Sequence, residues 1–430
     1  MLPNTDDPAV LYRDFRWQVP DSYNLGVDVC DRWADTDPER LALIDLGHDG
    51  RVREYSFETL RRLANRTANL FAAHGLGRGE RVGILLPQAP ETAVAHLAAY
   101  RLGAVAVPLF TLFGGDALAY RLADCGARAV ITDREGVARL AAIREQLPAL
   151  ATVFDIDGGG EGAVDFHGEL QQAGDTFTPV VTRAGDPALL IYTSGTTGQP
   201  KGALHAHRVL PGHLPGVEMS HDGLPHPGDR IWTPADWAWI GGLLDVLMPA
   251  WHHGITVVAH RFIRFDPEAA LDLMARFQVR NAFLPPTALK LLRRVETPPP
   301  GLKLRSVASG GESLGEALLD WGRRVLGVTI NEFYGQTECN MIVSSSARLG
   351  ITRAGWMGKA VPGHDLAIID AAGQRLAGAQ TGRPDRFCLR RTTAWRRRPG
   401  LERNDRRLDS LGRTPSRIDI PGCLCRAAAT

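Results

Sequence analysis

The residues with the plainest chemistry form one run, Thr193-Ser194-Gly195-Thr196-Thr197-Gly198-Gln199-Pro200-Lys201-Gly202, directly after the apolar stretch Leu189–Tyr192. Its glycines let the backbone come close to a ligand and turn amide N–H groups toward it. Ser194, Thr196 and Thr197 add hydroxyl donors, and Lys201 adds a positive charge. Such a set suits a polyphosphate. Lysine is scarce here: Lys201, Lys290, Lys303 and Lys359 are the only lysines among 49 basic residues. A compact ammonium suits a phosphate oxygen better than a planar guanidinium does. The run does not match G-x-x-x-x-G-K-[ST], and Pro200 disfavours helix entry at Gln199, so it is not a Walker loop.

Two further stretches follow apolar segments. Asn331-Glu332-Phe333-Tyr334-Gly335-Gln336-Thr337-Glu338 comes after Val328–Ile330, and Ser309-Gly310-Gly311-Glu312 after Leu304–Ala308. With the first run they resemble the adenylate-forming (AMP-binding) superfamily of acyl-CoA synthetases, peptide adenylation domains and luciferases. The resemblance implies ATP as substrate, with Thr193 to Lys201 around its phosphates. It implies that Tyr334 packs on adenine, that Thr337 meets the α-phosphate and the acyl carboxylate, and that Glu338 holds Mg²⁺. A hard carboxylate beside a phosphate loop is a natural Mg²⁺ ligand in any case. Glu332, Phe333, Gly335 and Gln336 belong to the same implied nucleotide motif, Gly310, Gly311 and Glu312 lie against the base, and Lys201, Thr337 and Glu338 carry the catalytic roles. The plainer alternatives are a strand-end turn at Tyr334–Glu338 and a strand-to-helix turn at Ser309–Glu312.

Tyr12–Ala34 and Asp236–Gly242 (DWAWIGG) resemble the acetyl- and medium-chain acyl-CoA synthetase branch. Trp237, Trp239 and Gly241 fall where that branch lines its acyl pocket, and rigid aromatics can cap a small apolar tail. Core tryptophans are the competing reading. The likeness runs from about Leu11 to Thr381. It implies activation of a short- or medium-chain carboxylic acid, aromatic acids included, and transfer to coenzyme A as co-substrate. The alternatives are a non-catalytic nucleotide- or acyl-binding remnant and a peptide-type adenylation domain. The latter needs an acid to pair with an ammonium, for which Asp236 is the one obvious candidate. His205 and His207 flank the segment after the loop at period two, but lone histidines are more often structural. His252-His253 has no partner at metal-ligand spacing.

The elements that must carry these residues alternate. Arg81–Pro87, Ala104–Leu109, Ala127–Thr132, Leu189–Thr193, Arg230–Thr233, Ile255–Ala259, Val279–Leu284, Leu304–Ala308 and Val328–Phe333 read as short apolar strands. Glu91–Leu102, Ala117–Cys125, Pro267–Phe277 and Leu314–Val325 have helical spacing, the first two stopped by Gly103 and Gly126. This pattern predicts an α/β fold of two parallel sheets covered by helices on both faces. Asp157–Gly162 reads as a surface turn between the two halves. Gly355–Ile369 predicts the start of a small β subdomain, with a hairpin turn at Ala371-Ala372-Gly373.

The composition, 44% hydrophobic and 23% charged over 430 residues, is that of a globular protein of two or three domains. No apolar run is long enough for a membrane span, and the N-terminus has no secretory signal. Six scattered cysteines show neither a disulfide framework nor a metal spacing, so the cytoplasm is the expected compartment. The net charge of +1 hides a break: residues 382–430 hold thirteen Arg, five acids and no Lys. We expect an adenylation domain over 1–381 and an Arg-rich, disordered tail over 382–430, out-of-frame translation being one origin. A nucleic-acid partner is not expected. The family's ribose-binding G-D segment, hinge and mobile C-terminal domain with its lysine have no match after Gln380, which predicts weak ATP binding and poor turnover.

Overall fold

The computed structural model describes residues 1–193 and 199–368, and beyond these the strands Phe387–Arg391, Ser416–Ile420 and Cys423–Ala427. Two large sheets dominate. In one, the order across the sheet is Val164–Asp165, Thr152–Asp155, Ala129–Thr132, Arg81–Leu85, Val105–Pro108, Pro187–Thr193, Lys201–Ala206. All its pairings are parallel except the last, which is an antiparallel hairpin. In the other, six strands run parallel: Leu41–Leu46, Thr256–Ala259, Arg230–Trp232, Asn281–Phe283, Ser306–Gly310 and Ile330–Gln336. Antiparallel strands flank this set, Val52–Ser56 on one side and Asn340–Ser344 followed by Lys359–Ala360 on the other.

Side-chain alternation along these strands builds the layers. Val82, Ala106, Ile131 and Ile191 from the first sheet, and Leu43, Val257, Phe283 and Ala308 from the second, face one shared core. Helices Phe57–Ala73, Pro90–Arg101 and Val209–Ser220 fill the space between the sheets. Val107, Val130 and Val153 point the other way, onto helices Gly115–Cys125 and Arg134–Ala142. Trp232, Val258, Ala282 and Val307 pack against Pro267–Arg276, Pro286–Leu292 and Glu316–Trp321. The α/β expectation with two parallel sheets is met. Strands buried on both faces need continuous apolar sequence, which is the pattern read from the sequence.

One expectation is corrected. The Asp157–Gly162 turn does not separate the halves. It joins Thr152–Asp155 to its parallel neighbour Val164–Asp165 inside one sheet, with Asp155 accepting the N–H groups of Asp157 and Gly160 at 2.9 and 3.1 Å. Beyond residue 382, three strands join Asp365–Ile368 in a four-stranded sheet, where that strand pairs antiparallel with Phe387–Arg391. The proposed turn at Ala371–Gly373 lies outside the described residues. Among the described residues, no helix is long and apolar enough to cross a membrane.

Candidate active site

The polyphosphate run closes a hairpin. Tyr192 pairs with Gly202 and Thr193 with Lys201, so the chain leaves the loop as a strand rather than as a helix, in keeping with Pro200. Gln199, Pro200 and Lys201 are described, and Lys201 is exposed. Ser194, Gly195, Thr196, Thr197 and Gly198 lie outside the described residues. At the stem, the Thr193 hydroxyl is 3.5 Å from the Lys201 carbonyl and 3.3 Å from Glu338 Oε1. One hydroxyl proton thus links the two motifs that the sequence holds far apart.

Glu338 reaches this point because of how the second sheet ends. Ser306–Gly310 and Ile330–Gln336 run parallel, with Ser309 opposite Glu332 and Gly310 opposite Phe333. The chain then turns back through Thr337 and Glu338, both half-buried, and the Cys339 N–H donates to the Gln336 carbonyl at 3.1 Å. The returning strand pairs Gln336 with Asn340 and Tyr334 with Val343, with a bulge at Gly335. Ligands of open α/β sheets bind beyond the carboxyl ends of the parallel strands, and both motifs sit there.

Within this motif the side chains divide by face. Phe333 is buried in the shared core, its ring 5.4 Å from that of Phe283. Gly310 is required by it, since a Cβ there would lie 2.5 Å from the Phe333 ring. Gly311 has φ +105°, a backbone conformation that favours glycine. Glu332 points away from that core and accepts the Leu314 N–H at 3.4 Å. Burial raises its carboxyl above the ordinary range, against the lowering effect of that N–H. Tyr334 packs beside Ile342 and Val343.

A cavity of about 460 Å³ opens beside these strand ends. Its walls include Pro234, Ala235, Trp239, Phe265, Gly310 and Gly311, with Glu312 at hydrogen-bond distance from Lys290, 2.8 Å. The tryptophan pair splits. Trp239 lines the cavity and stacks obliquely on Phe283 at 5.6 Å, whereas Trp237 is 0% exposed in the core and is not one of the walls. Gly241 lets the Trp239 indole settle, because a Cβ would lie 2.7 Å from its ring. Asp236 is spent locally, its carboxylate accepting the Ala238 N–H at 2.8 Å. Phe265, Thr287, Ala288 and Leu291 also line the cavity and were not singled out from the sequence. None of them carries a charge, and the Pro285-Pro286 pair is the local sequence signal that the chain turns there.

The histidines set aside are structural. His205 is buried and its pKa is pushed down to about 3, mainly by burial. His207 Nδ1 accepts the Leu25 N–H at 3.1 Å, His252 Nδ1 lies 2.6 Å from Asp28, and His253 lies 3.1 Å from Glu218. Among the described residues, no group of three or more His, Cys, Asp or Glu is placed to hold a metal. Mg²⁺ needs no such cage, since one carboxylate suffices when phosphates and waters complete its shell. A half-buried Glu338 facing the hairpin stem fits that donor set.

The chain is similar to acyl-coenzyme A synthetase ACSM2, mitochondrial, of Rattus norvegicus, 29% identical over 373 residues, which are 85% of this chain and 65% of that protein. It is 28% identical over 384 residues to the human acyl-coenzyme A synthetase ACSM3, mitochondrial, covering 86% of this chain and 64% of that one. The chain thus spans about 65% of the length of the curated relatives it matches. Among solved structures, an acyl-CoA synthetase of Brucella canis superposes with a TM-score of 0.79 at 29% identity, over 87% of this chain and 70% of that one. The anthranilate CoA ligase AuaEII, solved with anthranoyl-AMP, gives 0.76 at 27%, over 84% and 69%. The AMP-binding enzyme family profile matches residues 30–390. With its hairpin, its strand-end acid and most of its length inside that match, the chain belongs to the AMP-binding enzyme family.

Proposed function

We propose that the protein activates a short- or medium-chain carboxylic acid, aromatic acids included, with ATP and passes the acyl group to coenzyme A. The observation that carries the reading is the Thr193–Glu338 contact, which sets the phosphate hairpin against an acid of the Mg²⁺-binding type. In the reaction, the acid's carboxylate oxygen attacks the α-phosphorus of ATP and the bond to the β-phosphate oxygen breaks, giving acyl-adenylate and pyrophosphate. The coenzyme A thiol, losing its proton, then attacks the acyl carbon and AMP leaves. The hairpin amides and Lys201 bind the triphosphate, and Thr337 orients the carboxylate beside the α-phosphate. Glu338 holds Mg²⁺, which when bound neutralises phosphate charge. Two anions must meet in this step, so fixed positive charge and preorganised donors are what the chain supplies. Trp239 and Phe265 give the acyl group an apolar wall. The free thiol of buried Cys30 suits a reducing compartment such as the cytoplasm.

Pyrophosphate exchange into ATP tests the proposal across short-chain, medium-chain and aromatic acids. We expect slow exchange that depends on one of these classes, followed by slow acyl-CoA formation when coenzyme A is added. ATP binding without exchange for any acid would leave a non-catalytic nucleotide binder. Exchange with amino acids alone would point to a peptide-type adenylation domain.

A further inference from the structure

Helix Gly115–Cys125 touches both stems of the Thr193–Lys201 hairpin. Tyr120 donates its hydroxyl to the Pro200 carbonyl at 3.0 Å, on the outgoing stem. Tyr192, on the incoming stem, donates its hydroxyl to Asp124 Oδ2 at 2.6 Å. The two tyrosine rings meet edge to face, centroids 6.5 Å apart. Residues 120 and 124 are one helical turn apart and share a face, with 121 beside them.

Arg121 stands behind this pair, only 8% exposed. Its guanidinium lies 4.1 Å from the Phe113 ring and 5.9 Å from Tyr192, and it donates to the Ala117 carbonyl at 2.8 Å. Among the described residues it makes no ion pair. Aromatic faces are its counterweight, and cation–aromatic contacts gain strength once water is excluded. Phe113 belongs to the loop that enters the helix, so one buried cation ties that loop to the hairpin stem. A helix serving only to cover the sheet needs apolar contacts, and Leu118 and Leu122 already supply them. The polar grip on both stems goes beyond that.

We propose that Tyr120, Arg121 and Asp124 are positioning residues: they form a clamp that fixes the hairpin at the spacing required by the β- and γ-phosphates of ATP. The inference rests on the reading above, that this hairpin binds the triphosphate. Its signature is selectivity. Loosening the stems weakens ligands that carry the outer phosphates and spares AMP, whereas general damage weakens both.

Tyr120→Phe and Tyr192→Phe test it, each removing the hydrogen bond of one tyrosine hydroxyl with almost no change of shape. ATP and AMP affinities would be measured by calorimetry with the full chain, and melting temperatures recorded alongside. A net hydrogen bond of about 1 kcal/mol corresponds to ATP affinity weakened about three- to tenfold in each variant, with AMP affinity and melting unchanged. An ATP-to-AMP affinity ratio equal to wild type in both variants would overturn the clamp. Equal losses for ATP and AMP would also overturn it, by reducing it to a structural role. If the wild type does not prefer ATP to AMP, or Lys201→Ala leaves ATP affinity intact, the triphosphate reading itself falls and takes the clamp with it.

Discussion

Thr193 and Glu338 are separated by 145 positions in sequence and by one hydrogen bond in space. At this scale the sequence was most informative about residues that carry charge or hydroxyls and least informative about their neighbours. Lys201 and Glu338 stood out because lysine is rare in this chain and because an acid follows Tyr334-Gly335-x-Thr337. That Thr193 couples them was not legible, because a threonine at a strand end has many uses. The hydroxyl orients the acid toward the hairpin, so removing it should matter chiefly when metal is present. We expect Thr193→Val to leave metal-free ATP binding unchanged and to reduce the gain in affinity on adding Mg²⁺ by about two- to tenfold, the worth of one net hydrogen bond. Titrating ATP with and without Mg²⁺ checks this, and an unchanged gain would refute it.

At the scale of elements, local signals worked where an element's ends are marked. Pro90 opens the helix Pro90–Arg101 and Gly103, with φ +66°, follows its end, which made it readable. The same helix is buried on nearly every side between the two sheets, so it has no polar face. Leu97 is fully buried within it, and Leu97→Ala should destabilise the protein by about 2–5 kcal/mol, read as a lower urea midpoint. A loss below 1 kcal/mol would mean that the sheets close over the gap or are not packed there. Helix Val209–Ser220 is the opposite case. Two glycines and two prolines, Pro215 inside the helix, give it a loop-like sequence, yet all its residues are buried. Tertiary packing overrides propensity there, and His213 is held 3.0 Å from Asp245 across that packing.

Across the whole molecule, two sheets with a shared helical layer bury many titratable groups. Burial pushes His96, His205 and His221 down to about 3, and His207 and His364 to about 4. These side chains stay neutral in the native state, while the unfolded chain protonates them near the usual histidine value. The unfolded state therefore binds more protons as pH falls, and stability must drop. Their full contribution is present above about pH 6.5 and is lost progressively from there toward the folded values, at up to about 1.4 kcal/mol per pH unit for each histidine. Urea unfolding at about pH 7.5 and about pH 5 should show a lower midpoint in acid, and His205→Gln should flatten that dependence. An acid midpoint equal to the neutral one would refute the account.

The sequence by itself determined the alternation of strands and helices and pointed to the hairpin proposed to bind phosphate. It also determined the type of acid placed near that hairpin. These follow from local rules: period, turn residues, and donors packed into a short run. It was weaker wherever several elements meet. Only the tertiary structure decided that Trp239 lines the cavity while Trp237 belongs to the core, that Gly310 makes room for Phe333, and that residues beyond 382 pair with Asp365–Ile368. Which face a side chain presents, and to what, depends on the strands and helices brought beside it, and a linear pattern carries no record of those neighbours.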